Sequence, residues 1–307
     1  MNKNYDVIII GGGPAGYTAA LYCARAALSS LVLEAYSPGG QMGTTDMIEN
    51  YPGFPDGVNG FLLAEDMRKQ SERFGSSSVF EKVESVDFEA RPKKVVTQGG
   101  TIYEANAVIV ATGASPKEIG LSSEKQFRGK GVSYCATCDG AFYRGKTVII
   151  VGGGNTAAAD AVLLTKICKK VYLVHRRDTL RASNEYVKHM KNTENLEFIW
   201  NSSVQEIFGE NKVSGVQLKN LKTGEETTLE CDGVFVAIGN TPNSELFRGK
   251  LELNREGYVA AGEDTKTNVP GVFAVGDVRA KPLRQIVTAV SDGAVASQMA
   301  EEYFKEI

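Results

Sequence analysis

Histidine is scarce in this 307-residue chain, which holds only His175 and His189. No apolar run approaches the roughly 18–20 residues that a membrane helix requires, so no span is expected. Neither sign of charge is in excess: 34 Lys and Arg against 37 Asp and Glu leave −3. That balance gives no reason to expect nucleic acid or an anionic membrane as a partner. Little precedes the first strand-like run at Tyr5, so no signal peptide is expected. The expectation is therefore a cytoplasmic protein, in a compartment where thiols stay reduced and disulfides are mostly catalytic. Cysteine is sparse as well. Of five, Cys23, Cys168 and Cys231 stand singly in apolar or helical surroundings and read as buried small hydrophobes. What is present is 42% hydrophobic and 23% charged residues, enough for a good core in a length that suits two domains.

The chain contains one architecture twice. Tyr5 to Ile10 is a mostly apolar, β-branched run, suited to a strand buried on both faces of a parallel sheet. It leads into Gly11-Gly12-Gly13-Pro14-Ala15-Gly16 and then into an Ala-rich, helix-forming stretch, Tyr17 to Ala26. Thr147 to Val151 repeats the strand, Gly152-Gly153-Gly154-Asn155-Thr156-Ala157 the turn, and Ala158 to Lys169 the helix. In such a unit the first glycine permits a tight turn and the second lets the backbone approach a pyrophosphate. The third allows close helix–strand packing, and the phosphates lie on the positive end of the helix. A glycine motif alone is a weak signal; here each copy follows a strand and opens a helix, as the motif requires.

The strand that follows predicts what each copy binds. Glu34 lies 23 positions after Gly11, and His175 lies 23 positions after Gly152. A carboxylate at this place accepts hydrogen bonds from a ribose with free hydroxyls, as in FAD or NAD. The second copy has no acid there and offers His175, Arg176, Arg177 and Arg181, a positive cluster suited to the 2′-phosphate of NADPH. A solvated charge run is the plainer reading of such a cluster, but its coincidence with the ribose-reading position favours the cofactor.

Further apolar runs end in glycine, at Val108 to Gly113 and Val234 to Gly239, and look like strands that carry the chain out of each unit. Pro116 follows the first exit and Asn240-Thr241-Pro242-Asn243 the second, both suited to linkers. A third run, Val272 to Asp277, most simply returns to complete the first unit. The expected fold is α/β, with two Rossmann-like dinucleotide-binding domains, the NADPH domain being inserted into a discontinuous FAD domain. The boundaries are set at 1–115 and 243–307 for the FAD domain and 116–242 for the insert.

Cys135-Ala136-Thr137-Cys138 places two sulfurs within disulfide reach across one turn, and such motifs commonly lower the pKa of one thiol. Half of a zinc site is the rival reading. It needs a second ligand pair, and neither another Cys-x-x-Cys nor a His-x-His exists. Asp139 reads either as a general acid or base for a departing thiolate or as a turn former ahead of Gly140. Together the two dinucleotide folds and the dithiol define an electron path: NADPH to flavin, flavin to disulfide, thiolate to an external disulfide.

The chain resembles the low-molecular-weight, bacterial-type thioredoxin reductases over its whole length. The resemblance rests on the two glycine turns, Gly39-Gly40-Gln41, Glu49 to Phe54, Ala111-Thr112-Gly113-Ala114, Cys135 to Gly140, His175-Arg176-Arg177 with Arg181, and Gly276-Asp277-Val278 with Arg284-Gln285. It implies that Gly11, Gly13, Pro14, Ala15, Gly16, Glu34, Gly40, Gln41, Asn50, Thr112, Gly113 and Gly276 line the FAD site. Asp277 would hold the ribityl chain, and Arg284 and Gln285 would lie near the isoalloxazine. Gly152, Gly154, Asn155, Thr156, the basic cluster, Ile238 and Gly239 would hold NADPH. The resemblance also implies that Cys138 is the sulfur nearest the flavin, Cys135 the one that attacks thioredoxin, and Asp139 the proton donor. It further implies a homodimer whose NADPH domain rotates about the two linkers. One departure is Ala158-Ala159-Asp160, where many members carry one or two glutamates. Two rivals remain: a flavoprotein that serves a peroxidase or other small redox protein, and a flavin-bound redox sensor without turnover. The first normally carries an extra region with its own Cys-x-x-Cys, and the intact NADPH motif speaks against the second.

Overall fold

The computed structural model describes residues 3–191 and 193–306. The chain divides into two compact units, Met1–Ser115 with Thr241–Ile307, and Pro116–Asn240.

The first unit opens with β1 (Lys3–Ile10), α1 (Pro14–Arg25) and β2 (Ser30–Glu34). Then come α2 (Gly60–Arg73), β3 (Ser77–Phe80), β4 (Val83–Asp87), β5 (Lys93–Thr97) and β6 (Ile102–Val110). Strand β1 pairs parallel with β2 and β6, and β2 pairs parallel with β3. Alternation divides the side chains cleanly. Ile8, Ile10, Leu31, Leu33, Val108 and Val110 fall in one buried cluster, and Val7, Ile9, Val32, Ala107 and Ile109 in another. A strand buried on both faces therefore reads as an unbroken apolar run, and each Val, Leu or Ile side chain in it contributes about 1.5–3 kcal/mol by leaving water.

A short strand, β7 (Ala114–Pro116), leads into the second unit, which continues with α3 (Ser122–Gln126), β8 (Val132–Ser133) and α4 (Ala136–Asp139). The second strand–turn–helix follows as β9 (Thr147–Gly152), α5 (Asn155–Thr165) and β10 (Lys170–His175), then α6 (Asn184–Lys191) and β11 (Leu196–Trp200). Helix α5 starts at Asn155 and stops at Thr165, earlier at both ends than the expected Ala158 to Lys169. Strands β12 (Ser202–Gly209), β13 (Val213–Asn220) and β14 (Glu226–Glu230) form an antiparallel sheet. Strand β15 (Gly233–Ala237) joins the parallel sheet in the order β11-β10-β9-β15-β8. Val148 and Ile150 bury against α5, while Ile149 buries with Val204, Ile207 and Val216 of the antiparallel sheet.

Strand β16 (Asn240–Pro242) carries the chain back. The units divide between Asn240 and Thr241 rather than at the expected 242/243. Just past the division the Asn243 N–H donates to the Gly113 carbonyl, its Nδ2 to the Thr112 carbonyl, and Thr112 Oγ1 to the Asn243 carbonyl. Strand β17 (Val272–Ala274) then pairs parallel with β6. The last helix, α7 (Ile286–Phe304), lies along α1, where only small side chains fit between the two backbones. Gly293 marks the closest approach, since a Cβ there would lie 2.3 Å from the Ala15 carbonyl oxygen and 2.9 Å from the Ala19 nitrogen. Gly293→Ala should thus force α7 away from α1 and cost about 1–3 kcal/mol. A melting temperature equal to that of the native protein would show that the helices yield freely.

Candidate active site

In the first unit the glycine turn joins β1 to α1, and Pro14 takes the first helical position, where no hydrogen bond is lost. The Glu34 carboxyl, at the end of β2, accepts the Gly12 N–H at 2.6 Å and the Ala35 N–H at 2.7 Å. Burial pushes its pKa up, and those backbone donors oppose the shift. The Gly39-Gly40-Gln41 loop is tied to the same turn by the Gly39 N–H, which donates to the Gly12 carbonyl at 2.7 Å. Gly13 and Gly40 each have open space where a Cβ would project. Asn50 Nδ2 donates to Gln285 Oε1 at 3.0 Å. Asp277 sits in a short 3-10 turn, Gly276–Val278, with Oδ1 buried and lacking a partner among the described residues. Burial raises its pKa, against the pull of Lys281 and Arg284. Arg284 lies over the Tyr258 ring at 3.9 Å and reaches the Asp277 carbonyl at 3.4 Å. Open backbone at the helix start, a ribose-reading acid and an orphaned carboxylate oxygen fit the pyrophosphate, ribose and polyol of FAD.

In the second unit the turn joins β9 to α5. The Arg181 N–H donates to the Gly153 carbonyl at 2.7 Å, and Asn155 Oδ1 accepts the Ser183 N–H, so the basic loop is stitched to the glycine turn. Arg176, Arg177 and Arg181 are exposed. His175 requires a correction, because it does not offer the positive charge expected of it. Its ring is 6% exposed and lies so close beneath Gly153 that a Cβ there would be 2.2 Å away. Burial first, then Arg176 and Arg181, push its pKa down, so near neutral pH the imidazole is uncharged. Its Nε2 has no hydrogen-bond partner among the described residues. The imidazole is a floor for the turn, and the positive charge belongs to the three arginines. Trp200 meets its edge at a centroid distance of 6.4 Å and stacks on Phe198 at 4.9 Å. At the exit of β15, the Gly239 carbonyl accepts the Lys117 N–H at 2.9 Å.

Cys135 and Cys138 form a disulfide, with Cα atoms 5.3 Å apart, at the start of α4. Cys135 Sγ accepts the Cys138 N–H at 3.1 Å, taking the N-cap role that a serine or aspartate usually fills. Ala136 packs with Ala157, Ala161 and Leu164 of α5, which anchors the disulfide segment to the second dinucleotide unit. Asp139 is half-buried, and its carboxyl accepts the Ser133 hydroxyl at 2.6 Å. Burial raises its pKa, with Ser133 pulling the other way. Cys23, Cys168 and Cys231 are free and buried, and burial pushes their thiols up to about 11, 11 and 12 respectively. They are inert as nucleophiles near neutral pH. Among the described residues no group of three or more His, Cys, Asp or Glu is placed to hold a metal, and no helix is long and apolar enough to cross a membrane.

The model of the pyridine nucleotide-disulphide oxidoreductases matches residues 5–293. The chain belongs to this family. The oxidoreductase is 46% identical to the thioredoxin reductase of Bacillus subtilis over 306 residues, covering 99% of this chain and 96% of the other. It is 47% identical to that of Streptomyces clavuligerus, with 99% and 95% covered. Among solved structures, the thioredoxin reductase of Streptococcus pyogenes superimposes with a TM-score of 0.94 at 43% identity, covering both chains completely. The two dinucleotide-binding folds and the redox disulfide are thus those of the family.

Asp160 on α5 belongs to the departure noted in the second glycine unit, and what the sequence did not show is its burial. Burial alone raises its pKa to about 7. The folded value lies above the unfolded value of about 4, so ionisation costs stability. The cost is absent below about pH 4 and complete above about pH 7. Asp160→Asn should raise the melting temperature by a few degrees at about pH 8, with the gain vanishing near pH 4. A gain that is the same at both pH values would refute the burial of this charge.

Proposed function

We propose that this oxidoreductase is an NADPH-dependent, FAD-containing thioredoxin-disulfide reductase acting through Cys135 and Cys138. The observation that carries the reading is the Cys135–Cys138 disulfide beside a half-buried carboxyl, in a chain matching thioredoxin reductases from end to end. A relative in Mycobacterium leprae bears the name bifunctional thioredoxin reductase/thioredoxin and is 46% identical over 303 residues, 66% of its length. In this reading FAD is held by Gly11 to Gly16, Glu34, Gly40, Gln41, Asn50, Thr112, Gly113, Gly276, Asp277, Arg284 and Gln285. NADPH is held by Gly152, Gly154, Asn155, Thr156, Arg176, Arg177, Arg181, Ile238 and Gly239, with His175 beneath the turn. The enzyme works in the cytoplasm as a homodimer.

When bound, NADPH and FAD would supply the electron pair. Opening the Cys135–Cys138 bond takes up that pair; Cys138 takes the Asp139 proton and returns it when it attacks in the last step, while Cys135 stays a thiolate. A carboxyl whose pKa burial has raised holds a proton closer to neutrality than an exposed one. The Cys135 thiolate attacks one sulfur of the thioredoxin disulfide and the second sulfur departs as a thiolate, which takes up a proton. Cys138 then attacks Cys135 Sγ in the mixed disulfide, freeing the remaining thioredoxin sulfur and restoring the original bond.

NADPH oxidation followed with thioredoxin, with a thiol peroxidase and with no acceptor tests the assignment. Rapid turnover is expected with thioredoxin alone. Cys138→Ser should keep its flavin and lose turnover by on the order of 10³-fold. Turnover confined to the peroxidase, or retained in Cys138→Ser, would sink the reading. A separate test concerns cofactor choice. Charge-assisted hydrogen bonds from arginine to phosphate are strong enough that Arg176→Ala with Arg177→Ala should raise KM for NADPH about 10- to 100-fold. KM for NADH should hardly move, and equal changes in both would dismiss the 2′-phosphate assignment.

A further inference from the structure

We infer that Ser133 is a positioning residue of the redox centre, its hydroxyl tying the Asp139 carboxyl to the Cys135 backbone in the geometry from which Asp139 delivers its proton. The inference rests on the reading of Asp139 as the acid. Ser133 is 5% exposed and ends β8, which pairs parallel with β15 through Val132–Val234 and Ser133–Phe235. Its Oγ accepts the Cys135 N–H at 3.1 Å and lies 2.6 Å from Asp139 Oδ2. A hydroxyl has one hydrogen and two lone pairs. The hydrogen goes to the carboxylate, where 2.6 Å is the usual length for an O–H···O⁻ bond, and a lone pair takes the amide. One side chain therefore joins the first cysteine of the pair to the residue that follows the second.

The support behind Ser133 is rigid on both sides. Ahead of it lies the β8–β15 pairing. After it, the Tyr134 hydroxyl donates to Glu124 Oε1 at 2.9 Å, and that fully buried carboxylate also accepts the Ile119 and Gly120 N–H groups. The hydroxyl is thus held on a strand end and not on a free loop, which is where precise placement is obtained.

The titratable groups on the neighbouring elements are Tyr143 on the turn after α4, Asp160 on α5, Cys168 beyond α5, and Cys231 with Asp232 ahead of β15. The Tyr143 phenol is pushed up to about 12 by burial and then by Asp139, and so stays protonated. Cys168 and Cys231 also remain protonated. Donation from Ser133 favours the ionised form of Asp139 against burial. Removing that donor leaves burial unopposed, so Asp139 keeps its proton to higher pH but is no longer aimed.

The test uses flavin-loaded enzyme with thioredoxin and compares Ser133→Ala, Ser133→Thr, Asp139→Asn and the double variant Ser133→Ala with Asp139→Asn across pH. Ser133→Ala should slow kcat about 10-fold and move the alkaline limb of the pH profile upward. Ser133→Thr, which keeps the hydroxyl, should restore both. In the Asp139→Asn background the serine change should add no further loss. If Ser133→Ala does not retain flavin, Ser133→Cys, of similar shape and with a weak donor, is read in its place. Native kcat and pH profile in the serine variant, with Asp139→Asn slow, would overturn the role of Ser133 and leave the acid standing. A slow serine variant with an unmoved limb and no rescue by threonine would reduce Ser133 to a structural part and overturn the inference equally. Full speed in Asp139→Asn would remove the acid itself, and the inference with it.

Discussion

The tight joint between a parallel strand and the helix that follows it is the constraint on which both units depend. At the first joint a Cβ on Gly16 would lie 1.9 Å from the Gly11 carbonyl oxygen, and a Cβ on Gly11 would lie 2.4 Å from that of Ala111. At the second, a Cβ on Gly152 would lie 2.4 Å from the Ala237 carbonyl oxygen and 2.7 Å from the Ala157 methyl. Ala157 is accommodated in the place of the third glycine, fully buried, because the squeeze there falls on Gly152. Keeping each turn bare exposes the first N–H groups of α1 and α5, and N–H groups at a helix start suit a phosphate.

From the same joint follows the reading of the ribose. Strand β2 pairs with β1 so that Ile10 faces Leu33, and β10 pairs with β9 so that Val151 faces Val174. One step further along each pair, Gly11 comes level with Glu34 and Gly152 with His175. The equal spacing of 23 residues in the two copies is therefore a sheet register, and this is why a comparison of two positions was informative. The same register misled at His175. Residue type and place suggested a charge, yet the side chain turns inward under Gly153, where burial and two arginines keep it neutral. Which way an imidazole turns depends on packing from other elements, and no spacing along the chain encodes that.

Legibility follows the same division elsewhere. The cysteine pair, the glycine turns and the apolar strands were readable because each is local and its chemistry is carried by residue type. Gly293, Asp160 and Ser133 were not, since each acquires its meaning from a residue distant in sequence or from the loss of water around it. Asp292 is the clearest case. It accepts the Gly276 N–H, both Arg279 Nε and Nη2, and Lys281 Nζ, each at 2.8 Å, and is buried with Arg279. Two cations and one amide converge on one carboxylate, whose pKa is lowered by those partners against its burial. The result pins the Gly276–Val278 turn to α7. In the sequence Asp292 is only an acid in an Ala-rich helix.

That clamp bears on the neighbouring acid. Asp277 is held in the pinned turn, yet its Oδ1 is buried without a partner among the described residues. A buried oxygen left unpaired costs about 1–3 kcal/mol, and the turn that carries it is tied to α7 through the Gly276 N–H and Asp292. Asp139, half-buried, has Ser133 for company and serves the proposed reaction as its proton carrier. In the proposed reading the two carboxyls differ in use: one is completed by the chain itself and exchanges a proton, the other offers its free oxygen to a ligand hydroxyl. A ligand that removes the defect gains that affinity and stabilises the folded unit accordingly. In the proposed reading, cofactor affinity and the stability of the first unit are coupled through this oxygen, which sits on a turn tied to Asp292.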